Sequence, residues 1–387
     1  MPVDIDAALS RAATDYPTPG FVAGVIKDGR TVYRRAFGPA GVGDAPPIAA
    51  DAVFRIASMT KAVTAVAAMQ LVEQRRVDLD APLGAVIPLL AERQVLEGFD
   101  AAGRPRLRPA KAAVTLRNLL THTSGFAYDT WNAELLRYQD HTGLPDLGSG
   151  LYAALDRPLM RDPGEQWEYG IGIDWAGKLV EAVSGQSLDI YMAEHIFAPL
   201  GMVDTGFRPT GSMERRLAPV SMRLEDGGLA PIDFPSLPDP EFCAGGHGLL
   251  STLDDYLAFL QMVLHGGTWN GAQVLKPETV AEMSRNQIGD IPLRKLPSAV
   301  PFMSRDLTLQ LQIPGGWGLS WTVGAQAGPD GRSTGSLAWA GIFNSYYWID
   351  PAAKLAGLWM TQLLPFEDPN ALAMLGTLER SAYAAFG

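Results

Sequence analysis

Apolar residues recur along this chain with two different periods, and the period changes twice. Residues 21–37, "FVAGVIKDGRTVYRRAF", hold two β-branched and aromatic runs on either side of Asp28-Gly29, which predicts a tight β-hairpin. The next segment, "RIASMTKAVTAVAAMQLVEQ" (55–74), carries Ala62, Ala65, Val66, Met69 and Val72 among further alanines. It is apolar nearly all round, the pattern of a buried central helix. The middle third mixes helical segments and long loops: "TLRNLLTHTSG" predicts a short helix stopping at Gly125, "GIDWAGKLVEAVSG" one stopping at Gly185, and "SLDIYMAEHIFAPLG" one that starts at a capping Ser187 and ends before Gly201. Strand periodicity returns in "WGLSWTV", "SLAWAG", "NSYYWID" and "KLAGLWMTQ", with "DPAAK" as a turn, before a closing helix in "DPNALAMLGTLERSAYAAF". The Pro-rich stretch from Pro292 to Pro314 reads as a surface loop.

Strands at both ends with helices between them predict an α/β fold: one sheet assembled from the two termini, flanked by helices, with a mostly helical insertion. The division expected is 1–77 and 206–387 for the sheet subdomain and 78–205 for the helical one, with a single catalytic unit between them.

Bulk properties narrow the function. The 387 residues are 47% hydrophobic and 19% charged, which excludes a disordered chain. A net charge of -11, without a basic run, argues against nucleic acid as a partner. Cys243 is the single cysteine, so no internal disulfide can form. The first twenty residues show no apolar signal segment, and stretches such as "APLGAVIPLLA" are too short to span a bilayer. The chain is therefore expected to act in the cytoplasm, away from the membrane.

Ser58 and Lys61 break the apolar pattern at the mouth of the central helix. Residues three apart on a helix face the same way, so the lysine amine can reach the serine hydroxyl. An amine surrounded by apolar side chains loses solvation and becomes a usable base. Ser58 at the helix start also presents its own N–H to an oxyanion. Ser-x-x-Lys alone is a frequent coincidence, since Ser is a common N-cap and a lysine one turn later can simply reach solvent. Two further stretches add context. Tyr169 lies in a Gly-flanked turn just before a helix, and Trp339-Ala340-Gly341 lies on a strand followed by a sharp polar break.

Ser58-Met59-Thr60-Lys61, "LLTHTSG" at 119–125, the "WEY" turn, the "GGxGL" loop at 245–249 and the terminal Trp-x-Gly, in this order, resemble the serine β-lactamase and penicillin-binding-protein superfamily. Within it the chain most resembles the family VIII carboxylesterases, which share the fold and catalytic residues of class C β-lactamases but mainly cleave esters. The resemblance runs through essentially the whole chain. It implies that Ser58 is the acylated nucleophile, that Lys61 shares the proton-accepting role and that Tyr169 relays protons. It further implies that the backbone N–H groups of Ser58 and Ile342 form the oxyanion hole. Trp339-Ala340-Gly341 stands where the lactamases have Lys-Thr-Gly, and Tyr169-Gly170-Ile171 lacks the Asn of the usual Tyr-x-Asn. Both departures remove groups that would hold a penicillin and suit a neutral, fairly apolar ester.

The remaining candidates are weaker. Phe126, Tyr128, Trp131 and Phe343 read as lining of an acyl or alcohol pocket, and equally as core packing. His247, between glycines that permit close backbone approach, is a candidate for the site wall. His122 could serve a Ser-His dyad but reads better as structural, as does His195. Gly331-Arg332-Ser333-Thr334-Gly335 spells the G-x-S-x-G elbow, yet it lies in a turn leading into a strand, not between a strand and a helix. No histidine pair has metal spacing and no nucleotide fingerprint is present, so neither a metal nor a cofactor is expected.

The reading is a serine ester hydrolase for small neutral, short-chain esters, working through an acyl-enzyme. Two alternatives stand beside it: an acyltransferase, or an amide or β-lactam hydrolase, on the same machinery, and a receptor acylated once without turnover.

Overall fold

A computed structural model describes residues 3–234, 240–308 and 315–387. Its main sheet has seven strands in the order Gly315–Trp317, Thr322–Gly324, Leu337–Gly341, Ser345–Asp350, Leu355–Met360, Phe21–Lys27 and Arg30–Phe37, each neighbour antiparallel. The N-terminal hairpin joins five C-terminal strands through Val22 opposite Met360 and Lys27 opposite Leu355. Every residue of Ser345–Asp350 and Leu355–Met360 is buried, so this part of the sheet is covered on both faces. The helix Leu253–Leu264 packs against these strands, and Ile5–Asp15 packs along the closing helix Pro369–Phe386. This is the α/β arrangement that the hydrophobic pattern predicts, and the layout that the β-lactamase resemblance implies.

The helix Thr60–Glu73 is buried without interruption from Thr60 to Leu71, as its all-round apolar pattern requires. It packs against Gly172–Ser184, the helix that follows Tyr169. No helix among the described residues is long and apolar enough to cross a membrane.

Four details differ from the pattern reading. "WGLSWTV" is not continuous strand: it turns at Gly318–Trp321, giving two short strands that pair with each other. The first "LLTHTSG" helix ends at Leu120, because His122 takes a left-handed conformation (φ 57°) that breaks the turn before Gly125 is reached. Segment 78–205 contains a hairpin, Gln94–Phe99 with Pro105–Pro109, whose second strand is charged and half-exposed and so lacks a hydrophobic signature. The Pro-rich stretch is not purely surface: Leu296, Ser304 and Leu307 are buried, and Leu296 bridges to Leu307. Residues 309–314 of that stretch lie outside the described residues.

One buried ion pair closes the fold. Arg223 donates from Nε and Nη2 to the two carboxylate oxygens of Asp368 at 2.8 and 3.0 Å. Asp368 Oδ1 also accepts the N–H groups of Asn370 and Ala371, capping the last helix. Both side chains are nearly inaccessible, so removing one partner strands a buried charge. Asp368→Ala should therefore cost about 3–5 kcal/mol, measured as a lower urea midpoint at unchanged slope. Asp368→Asn, which keeps a cap oxygen, should cost less.

Candidate active site

Three backbone segments meet at the N-terminus of the central helix. The first is the turn Ala57–Met59, where Ala57 adopts φ 44°, a conformation that costs a residue with a Cβ and persists only when its surroundings enforce it. Tyr256 Oη donates to the Met59 carbonyl at 2.9 Å, and the Leu249 N–H donates to Thr60 Oγ1 at 3.1 Å. These bonds fix the helix start and leave Ser58 half-buried and open to the cleft. The second is the strand Leu337–Gly341. A Cβ on Gly341 would stand 2.3 Å from the Ile56 carbonyl oxygen, so only glycine lets the strand pass this close to the serine turn. The third is the Tyr169 turn, held from behind by the "LLTHTSG" loop. The Glu168 N–H donates to the His122 carbonyl at 2.8 Å, and the His122 ring lies 4.6 Å from that of Tyr169.

Lys61 is wholly buried. Its Nζ lies 3.0 Å from Ser58 Oγ, 3.0 Å from Tyr128 Oη and 2.8 Å from the Gly246 carbonyl oxygen. Burial drives its pKa down to about 7, with Asp174 pulling the other way. A carbonyl can only accept, so one N–H of Lys61 is committed to Gly246. In the neutral amine a second N–H goes to Tyr128, and the lone pair is left for the Ser58 hydroxyl to donate into.

Tyr169 is 3% exposed and accepts a hydrogen bond from Trp339 Nε1 at 3.2 Å. Burial raises its pKa above the usual phenol range, while hydrogen bonds with Ser58 and Trp339 oppose the rise. Its ring centroid is 4.8 Å from Lys61 Nζ. Ser58, Lys61 and Tyr169 are thus brought together around the serine oxygen.

A pocket opens in front of Ser58, lined by Trp131, Tyr169, Leu307, Trp339, Ala340, Ile342 and Phe366. Trp131 is tied to the Pro-rich segment by a hydrogen bond from Nε1 to Ser304 Oγ at 3.1 Å. No lysine, arginine or carboxylate is part of the lining among the described residues.

The sequence candidates fall into three groups. Ser58, Lys61, Tyr169, Trp131, Trp339, Gly341 and Ile342 come together around the pocket. Phe126 does not: it is completely buried and stacks with Trp175 in the core. Phe343 also lies away from the lining, packed edge-on to Phe234 beside Ala57 and Leu364. His247 is one residue past the Lys61 contact and faces Asp174 at 3.7 Å, not the pocket. Tyr128 was read as pocket wall, yet its hydroxyl is a partner of Lys61. Leu307 and Phe366 were missed; Leu307 sits in the stretch read as loop, and nothing local marks either as a site residue. His122 stands behind Tyr169, with Nδ1 accepting the Gly170 N–H at 3.4 Å, and is held neutral by burial. His195 is distant, its carbonyl bonded to Gln70. Ser333 has its N–H on Asp350 and no histidine at hand. Burial raises the Cys243 thiol to about 11, which makes it a poor nucleophile. No group of three metal-ligating side chains occurs among the described residues.

The β-lactamase family model matches residues 5–378. The chain belongs to the β-lactamase family. Among its relatives, the monacolin J acid methylbutanoyltransferase of Aspergillus terreus is 34% identical over 99% of this chain and 95% of its own length. The lovastatin esterase of Penicillium rubens is 30% identical over 90% of this chain and 89% of its own. The structure of the LovD6 mutant of Aspergillus terreus simvastatin synthase superposes with a TM-score of 0.84 at 33% identity, covering 99% of this chain and 96% of that one. The protein is thus an enzyme of the serine hydrolase and acyltransferase class within this family, and an acyl-enzyme mechanism suits it.

The buried amine sets a pH dependence. Lys61 accepts a proton only when neutral, and its depressed pKa is about 7. The rate of Ser58 acylation should rise as pH increases through about 7 and level off above it, read from a kcat/KM profile with a p-nitrophenyl ester. Tyr128→Phe should lower the plateau roughly tenfold by removing one of the two acceptors that orient the neutral amine.

Proposed function

We propose that this enzyme transfers a short acyl group, through an ester on Ser58, to an alcohol acceptor. Ser58 attacks the donor carbonyl, its proton passes to the Lys61–Tyr169 pair, and the donor's own ester or thioester bond breaks as that pair returns the proton to the departing alcohol or thiol. The N–H groups of Ser58 and Ile342 stabilise the oxyanion, and the incoming alcohol reverses the sequence. The cleft would lie between the sheet-bearing segments 1–77 and 206–387 and the inserted segment 78–205.

The observation that carries the reading is the lining of the pocket: Trp131, Leu307, Trp339, Ile342 and Phe366 line the space in front of the serine with apolar surface, and no charged side chain is among the described lining residues. Each methylene buried there is favourable by about 0.8 kcal/mol, whereas an unpaired carboxylate would be costly. The lining therefore favours a neutral aliphatic acyl group over a penicillin. Transfer is preferred to plain hydrolysis because relatives aligned along nearly the whole chain are named methylbutanoyltransferases. The chain's likeness to a lovastatin esterase supports hydrolysis as the second reading.

A partition experiment separates the two. The protein is incubated with p-nitrophenyl 2-methylbutanoate, with and without bulky secondary alcohols at millimolar concentration. Transfer predicts that the alcohol increases p-nitrophenol release and that the acyl group leaves mainly as the new ester. Release of free acid alone, insensitive to every alcohol, would return the assignment to an esterase. Trp339→Lys should weaken turnover of the neutral ester and improve that of carboxylate-bearing cephalosporins, checked by comparing the two kcat/KM values.

A further inference from the structure

Asp174 lies outside the pocket and is completely buried. It is the third residue of the helix Gly172–Ser184, five positions after Tyr169, where the helix dipole favours negative charge. Its Oδ1 accepts the Gly246 N–H at 2.9 Å, and its Oδ2 has no hydrogen-bond partner among the described residues. The carbonyl of the same Gly246 accepts from Lys61 at 2.8 Å. One peptide residue is therefore held by the carboxylate on its donor and by the amine on its acceptor. Gly246 has no room to be anything else, since a Cβ there would stand 2.5 Å from Asp174 Oδ2. The adjoining Gly245 carbonyl is tied to the central helix by Thr64 Oγ1 at 2.6 Å.

A carboxylate placed so deep costs stability unless it is compensated. Its nearest compensation is backbone that serves Lys61. We propose that Asp174 is a positioning residue that locks the Gly245–Gly246 turn against the end of Lys61, fixing one amine proton on the Gly246 carbonyl and leaving the lone pair aimed at Ser58. This role rests on the acyl-enzyme reading above.

The charged and titratable groups around the pair are few. Lys61 faces Tyr128, Tyr169, Asp174 and His122; Asp174 faces His247 and Arg157, with Asp129 and Asp146 beyond them. Burial keeps the tyrosines and His122 uncharged near neutrality; desolvation lowers the pKa of the partly exposed His247 while Asp174 opposes the shift; and Arg157 is influenced more by Asp129 than by Asp174. Asp174 is thus the anion that acts on Lys61, and it favours the protonated amine. Removing its charge should ease deprotonation.

Two substitutions in the full chain separate anchor from charge. Ser58 acylation by a p-nitrophenyl ester is followed across pH, with thermal melting as the check on folding. Asp174→Asn keeps an oxygen for the Gly246 N–H, so its plateau should stay close to that of the unmodified enzyme while the acid limb moves to lower pH. Asp174→Ala also loses the anchor, and its plateau should fall on the order of tenfold to a hundredfold. Gly246→Ala, which crowds the same contact from the other side, should reproduce the plateau loss and stands in if Asp174→Ala does not fold. An unmoved limb in the Asn variant, or a folded Ala variant at full plateau, overturns the proposal. Failure of the unmodified protein to form any ester on Ser58 would instead overturn the functional reading on which it rests.

Discussion

Everything at this site follows from taking one lysine amine out of water. Lys61 lies on a helix that is buried from Thr60 to Leu71, and its Nζ is enclosed by a serine, a phenol and a peptide carbonyl. Burial disfavours its charge strongly enough to bring its pKa to about 7. The amine then has two protons and one lone pair to distribute over three partners. Two of those partners constrain the distribution: the carbonyl must receive a proton, and the serine is the group that needs the lone pair. The arrangement makes a base without a histidine, which is why the five histidines of the chain lie elsewhere or play supporting parts.

The fold serves this constraint by pressing backbone against the helix mouth from two sides. Strand Leu337–Gly341 comes close enough to Ile56 that position 341 tolerates no side chain. The "GGxGL" loop comes close enough to Asp174 that position 246 tolerates none either. The price is backbone strain close to the chemistry: Ala57, His122 and Asn344 all take left-handed conformations, at φ 44°, 57° and 60°. Asn344 shows how such strain is held. Its Nδ2 donates to the Leu363 and Pro365 carbonyls, and its Oδ1 accepts from Tyr346 and the Asp368 N–H. The turn that presents Ile342 is thereby tied to the same Asp368 that caps the last helix and pairs with Arg223.

What could be read from the sequence was what local pattern encodes. The hairpin at 21–37, the buried helix and the strand-rich C-terminus carry period-2 or all-round apolar signals, and these do not depend on partners. Ser58, Lys61 and Tyr169 could be named because motif order along the chain carries information that composition does not. The signal ran out where function depends on contacts between distant segments. Phe126 and Trp131 look alike on paper, but only Trp131 reaches the pocket; Phe126 is pulled into the core by Trp175, 49 positions away. Tyr128 as a partner of Lys61, and Asp174 as a partner of the Gly246 that Lys61 bonds, were invisible because these contacts join residues 67 and 72 positions apart. The stretch around Leu307 read as loop because its prolines hide the two buried leucines that seat it.

The same separation governs what the enzyme does with its acyl group. On the mechanism proposed above, Ser58, Lys61 and Tyr169 would form and break the ester whichever nucleophile arrives, since each step is the reverse of the other with a different alcohol or with water. The choice between transfer and hydrolysis therefore lies in the pocket. Water would gain nothing from apolar walls, whereas an acceptor that buried aliphatic surface against Trp131, Leu307 and Phe366 would raise its own local concentration at the ester. Trp339 would work on both sides of this competition: its ring adds apolar wall, and its N–H holds the Tyr169 hydroxyl, the proposed proton relay. A cation at that position would supply the hydrogen bond but not the wall, and would invite carboxylates in place of neutral acyl groups. On this reading the acyl-enzyme chemistry belongs to the helix mouth, and the choice of acyl group and acceptor to the aromatic and aliphatic side chains in front of it.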